Sequence, residues 1–291
     1  MTAARLWGLT AATMLAFAAN SILNRAAVDG GHIDPLAFSV IRVLAGALML
    51  AALVLVTRRP LRLFAMARLW GAATLSLYLL GFSIAYAHLD AGVGALILFG
   101  GVQVTMFAGA VIARDVVPPR RWIGAGLAMA GLAWLMWPTG GAAVPVMGAI
   151  TMSAAALGWG LYSLAGRGAV DPLGATAANF IWAVPLVGLP VMMVPVAQGS
   201  VPATMVGVML AVLSGAVTSG LGYALWYDIL PRLGASLAGL VQLSVPVIAV
   251  AGGLFLLGEG VSARMIGAGL LVLGGIAYGI GFQRTTGSSA S

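Results

Sequence analysis

Long apolar runs alternate along the chain with short polar or glycine-rich breaks. The runs fall near 6–24, 35–57, 69–88, 91–113 and 121–137, and again near 146–166, 173–197, 203–227, 234–257 and 264–283. Each is close to the roughly 20 residues that cross a bilayer as a helix. In lipid only helices or closed barrels satisfy their own backbone, and these runs are too long and too evenly apolar for barrel strands. The pattern therefore predicts helices throughout. An uncharged linker, Pro138 to Pro145, separates the fifth run from the sixth.

The two sets of five resemble each other. Ser-Ile-Leu-Asn-Arg-Ala-Ala-Val-Asp at 21–29 returns as Ser-Leu-Ala-Gly-Arg-Gly-Ala-Val-Asp at 163–171, an offset of 142. Asp34-Pro35-Leu36 returns as Asp171-Pro172-Leu173 at an offset of 137, and Ile-Gly-Ala-Gly-Leu at 123–127 returns unchanged at 266–270, at 143. Five is odd, so a second copy enters the membrane from the opposite side and the halves become inverted repeats. The expected fold is an all-α integral membrane protein of ten transmembrane helices in two inverted five-helix repeats. Residues 1–137 form the first repeat, 138–145 the linker, 146–284 the second repeat and 285–291 a small polar tail read as disordered. Arg5, the apolar run from Leu6 and Ala16-Phe17-Ala18 together imitate a signal peptide. The run continues past that site to Leu23 and has a counterpart in the second half, so it is read as an uncleaved first span.

Composition agrees with this. At 62% hydrophobic, 7% charged and a mean hydropathy of +1.08, the chain is excluded from the soluble globular class. All 14 basic residues are arginine, and the net charge is +7. With the N-terminus inside, eleven of them face the cytoplasm: Arg5, Arg58, Arg59, Arg62, Arg68, Arg114, Arg120, Arg121, Arg167, Arg232 and Arg284. Arg25 and Arg264 fall outside. That positive-inside bias predicts an inner-membrane protein with both termini cytoplasmic. The arginines are scattered over short loops, which argues for lipid contact and against nucleic acid. Without lysine the chain has no P-loop, and hence no ATP use of that kind, and no Schiff base. Without cysteine it has no thiolate chemistry. No catalytic or metal-binding constellation is present, and no cofactor is called for.

Few polar groups lie inside the runs. Arg42 stands seven residues beyond Pro35, roughly 10 Å along a helix. It is read either as a holder of a substrate carboxylate or as a side chain reaching the outer headgroups or Asp34. Its counterpart at an offset of 137 is Asn179. All seven acids sit at loops or span ends, so no mid-membrane carboxylate is available to exchange a proton for a cation. His88, at a span end, is the remaining candidate for a proton. Phe99, Gln103 and Met106 share a helical face, and an offset of 141 maps Gln103 onto Ser244, near Gln242 and Pro246. Tyr78, Phe82 and Tyr86 line one side of the third run. Trp159 and Tyr162 are neighbours in the sixth, and Asn20 aligns with Tyr162. Trp7, Trp70, Trp122 and Trp137 are expected as interfacial anchors.

Ten spans in two copies, a proline-broken ninth span running from Leu237 to Gly258-Glu259, and the glycine-rich start of the tenth (Gly267-Ala268-Gly269) resemble the drug/metabolite transporter superfamily, EamA type. Its aromatic residues are similar in kind to those of the YddG-type amino-acid exporters. The resemblance implies a basket of helices around a central cavity, exporting aromatic and other neutral amino acids. The substrate-binding set so implied is Asn20, Arg42, Tyr78, Phe82, His88, Phe99, Gln103, Trp159, Tyr162, Asn179, Gln242 and Ser244. A broad-specificity drug or metabolite exporter and a non-transporting membrane scaffold remain the alternatives.

Overall fold

The computed structural model describes residues 1–136, 144–193, 203–260 and 262–280. Trp137, most of the linker, Pro195, Arg284 and the tail lie outside the described residues. Among those described every element is helical: α1 (Ala3–Val28), α2 (Pro35–Val56), α3 (Met66–Ala85), α4 (Ala91–Ile112), α5 (Pro119–Met136), α6 (Val146–Gly166), α7 (Pro172–Met193), α8 (Met205–Leu233), α9 (Ala235–Leu257) and α10 (Ala263–Ile280). Eight of these, all but α5 and α10, are long and apolar enough to cross a membrane.

The helix ends carry their own chemistry. Asp34 Oδ1 accepts from Leu36 N at 2.8 Å and from Ala37 N at 3.3 Å, and Pro35 occupies the first helical position, where no N–H is missed. Thr204 accepts from Gly207 N at the start of α8. Gly234, at φ +71°, turns α8 into α9 in the left-handed region that only glycine enters without strain.

Two helices are irregular. The middle of α8, Ser214–Leu221, is π-helical, a widening that recurs at functional sites. α9 is interrupted at Leu243, between Ala235–Gln242 and Ser244–Gly252. The cause is Pro246, which has no N–H for the carbonyl four residues earlier. α4, with Thr105 where α9 has proline, runs unbroken. The two helices therefore differ in shape.

Packing is mostly between the two sets of five. α3 lies on α6 and α7, α4 on α6, α2 on α7 and α8, α5 on α10, and α1 on α8 and α9. Glycine permits the closest of these approaches. A Cβ at Gly215 would stand 2.2 Å from Arg42 O, so α8 can meet α2 there only as glycine. That contact lodges Arg42 in the middle of the molecule.

Candidate functional site

Arg42 is fully buried. Its Nε donates to Ser219 Oγ at 2.9 Å, and its Nη2 donates to Tyr78 OH at 3.1 Å and to Tyr223 OH at 2.7 Å. The guanidinium carbon also stands 4.9 Å from the Phe82 ring centroid and 5.4 Å from that of Tyr78, within cation–π range. The reading of Arg42 as a side chain reaching the outer headgroups or Asp34 does not hold. It does not reach the headgroups, and Asp34 is engaged as the cap of α2.

The cluster extends on both sides. Tyr223 OH donates to Tyr78 OH at 3.0 Å. Asn20 Oδ1 accepts from Ser214 Oγ at 2.8 Å and from Ser219 Oγ at 3.2 Å, with the Thr218 hydroxyl also in reach. Ser219 thus links Arg42 of α2 to Asn20 of α1. The π-helical stretch of α8 presents Ser214, Thr218 and Ser219 to these two partners.

Aromatic rings close over this polar core. Trp159 lies 4.5 Å from Tyr223, 5.0 Å from Tyr78, 5.1 Å from Phe17 and 5.5 Å from Tyr162, centroid to centroid. Phe99 joins through Phe17 at 6.4 Å. Trp159 Nε1 donates to Gln242 Oε1 at 2.7 Å, which positions the indole. Side chains that the resemblance would place around a central cavity thus touch one another here.

Two buried polar nitrogens at the centre, Asn20 Nδ2 and Arg42 Nη1, have no hydrogen-bond partner among the described residues. Such atoms are costly in a dry interior and ask for a ligand or water. The structure therefore gathers Asn20, Arg42, Tyr78, Phe82, Trp159, Tyr162 and Gln242 into one contiguous cluster, with Phe99 at its edge. Asn179 is buried beside Gly71 of α3.

Three expected members lie apart. His88 is exposed in the turn after α3, because that helix ends at Ala85. Ser244 is half-buried and donates to Val241 O at 2.7 Å, closing the break that Pro246 creates in α9. Gln103 is buried against Gly239 of α9, with both amide atoms unpartnered, at the edge of an apolar groove of about 520 Å³ between α4 and α5. Phe107 and Trp122 line the same groove. The offset that pairs Gln103 with Ser244 does not give them one role.

Sequence reasoning passed over Phe17, Ser214, Thr218, Ser219, Tyr223 and Trp226. Their residue types were visible: hydroxyls at 214, 218 and 219, followed by Tyr223, fall close together in the eighth apolar run.

Eight apolar helices of spanning length, with a buried polar cluster among them, define a multi-pass helical membrane protein. The model of the EamA-like transporter family matches residues 146–279. Over 269 residues the chain is 45% identical to a protein of Pseudomonas aeruginosa described as uncharacterized, with 92% of each covered. It also superposes on a solved crystal structure with a TM-score of 0.70 and 21% identity, covering 93% of this chain and 98% of that one, a likeness of fold. Residues 146–279 thus carry an EamA-like transporter domain, and the whole chain is a relative of that Pseudomonas protein.

Proposed function

We propose that the chain is a secondary transporter that exports small amphipathic metabolites, aromatic and other neutral amino acids foremost, by alternating access between two inverted five-helix halves. The observation that carries this reading is the central cluster. It joins α1, α2 and α3 to α6, α8 and α9, and it combines unpartnered polar atoms with rings able to enclose an apolar side chain. The helix packing supports the repeat. Exchanging the first five helices for the second five turns α3 on α7 into α8 on α2, and α4 on α6 into α9 on α1, while α5 on α10 and α2 on α7 map onto themselves. The arginine bias supports cytoplasmic termini in an inner membrane.

Reconstituted protein is expected to accelerate release of aromatic amino acids from liposomes without ATP. Flux measured with and without a pH gradient separates exchange from proton coupling. No acceleration for any amino acid would end this reading. The apolar groove beside Gln103 favours one alternative, broad efflux of apolar compounds entering from the lipid, and cationic dyes tested in the same liposomes discriminate it.

A further inference from the structure

We propose that the central site recognises its substrate first as an anion, with Arg42 as the carboxylate-binding residue. On this view it takes apolar and aromatic monocarboxylates and rejects the matching amines. The inference rests on the transport reading and adds to it the charge of the substrate.

The argument is a count of donors. A guanidinium has five N–H donors and stays protonated inside a protein. Three of them reach Ser219, Tyr78 and Tyr223, all neutral. The two on Nη1 are buried and meet no protein acceptor. Tyr223 and Tyr78 share one hydrogen bond, so one phenolic hydrogen is left over whichever of the two donates. Asn20 Nδ2 is a further unpartnered donor, and Asn20 is tied to Arg42 through Ser219. The atoms left open on Arg42, its two phenolic partners and Asn20 are therefore donors.

The charge count agrees. The chain has seven acids. Six are in ion pairs with arginines other than Arg42, and the seventh, Asp34, caps α2. Among the described residues Arg42 is thus a buried cation whose hydrogen-bond and ring partners are all neutral, and the cost of its burial is only partly offset. A carboxylate supplies both the missing charge and the missing acceptors, in the planar geometry a guanidinium favours. An ammonium finds no acid there and stands beside a like charge. The α-amino group of an amino acid is accordingly tolerated rather than required, and removing it preserves or strengthens binding.

The test uses the whole purified chain and four compounds of nearly one shape: 3-phenylpropionate, phenylalanine, 3-phenylpropanamide and phenethylamine. Equilibrium binding and thermal shift are expected to rank 3-phenylpropionate at or above phenylalanine, with the amide and amine weaker by about tenfold or more, the loss of a charge-assisted hydrogen bond. Arg42→Gln is expected to remove the preference for carboxylate, and Arg42→Lys to retain part of it. The wild-type series stands without either variant, should one fail to fold. Equal binding of amine and acid, binding of none of the four, or an unchanged Kd for 3-phenylpropionate in Arg42→Gln would overturn the proposal. Carboxylate-selective binding without flux would sink the transport reading and leave this one standing. Flux of amine and acid alike would do the reverse.

Discussion

Arg25 and Arg42 are surrounded in opposite ways. Arg25, near the end of α1, has three acids about it: Asp29 and Asp90 at 3.0 Å and Glu259 at 3.3 Å. It also donates to Tyr86 O at 3.1 Å, while Glu259 accepts from Ala91 N at the start of α4 at 3.1 Å. That knot ties α1, the α3–α4 turn and the end of α9 at one end of the bundle. The charge of Arg25 is met within the protein, and the excess negative charge sits on Asp29 and Asp90, both about half exposed to solvent. Arg42 is buried more completely and has no acid. A chain with only seven acids places three on the outer arginine and none on the inner one. The difference teaches that the outer arginine has more than its share of anions, in a clamp between helix ends, whereas the inner one is short of any.

The sharpest way to break this comparison is through two glycines whose added Cβ would meet a neighbour at the same 2.2 Å. At Gly215 the neighbour is backbone, Arg42 O, with Ala45 Cβ behind it at 2.9 Å. At Gly253 it is Glu259 Oε2, the far end of a flexible side chain. Gly215→Ala is expected to force α2 and α8 apart and to cost about 3 kcal/mol or more, the upper range for overpacking. Gly253→Ala is expected to swing Glu259 aside and cost within about 1 kcal/mol. Thermal melts of the detergent-solubilised protein compare the two. Equal losses would mean that the inner contact is no tighter than the outer.

Next in size is the clamp itself. Arg25→Gln leaves Glu259, whose side chain is 13% exposed, with only Ala91 N for company. The expected loss is about 1–3 kcal/mol, below the range for fully buried pairs because Asp29 and Asp90 are about half exposed. Adding Glu259→Gln should restore part of that loss, since the carboxylate left behind is the main source of the penalty. A double variant no more stable than the single would place the cost elsewhere.

How much of this was legible in the residues follows from what kind of information each feature needs. The helices were legible, because apolar length and caps such as Asp34-Pro35 are local. Arg42 and Asn20 stood out as isolated polar groups in apolar runs, and Tyr78, Phe82, Trp159 and Tyr162 as aromatic faces. The partners of Arg42 were not legible. Ser219 and Tyr223 face it where α8 widens into a π-helix at Ser214–Leu221; their hydroxyls are visible in the eighth run, but the rotation that aims them at Arg42 leaves no mark in a one-dimensional pattern. Alignment of the halves misled at Gln103 and Ser244, since Pro246 breaks α9 next to one of them and nothing breaks α4 next to the other. His88 was misplaced by the few residues separating the end of the apolar run from the end of α3.

The smallest expected effect probes the inner knot alone. Ser219→Ala removes the acceptor of Arg42 Nε and one of the hydroxyls that Asn20 Oδ1 receives. In an ordinary interior, stranding a buried donor costs about 1–3 kcal/mol of stability. Here the guanidinium already has two unpartnered donors, so a third adds to an existing deficit and the carboxylate of a ligand can answer it. The expected outcome is a loss of about 1 kcal/mol in the ligand-free protein, with at least part of it recovered when a saturating carboxylate is present. The same measurement on Arg25→Gln should show no such recovery, because nothing in the outer knot awaits an anion. If the carboxylate rescues both variants equally, or neither, the two arginines do not differ in the way their surroundings indicate.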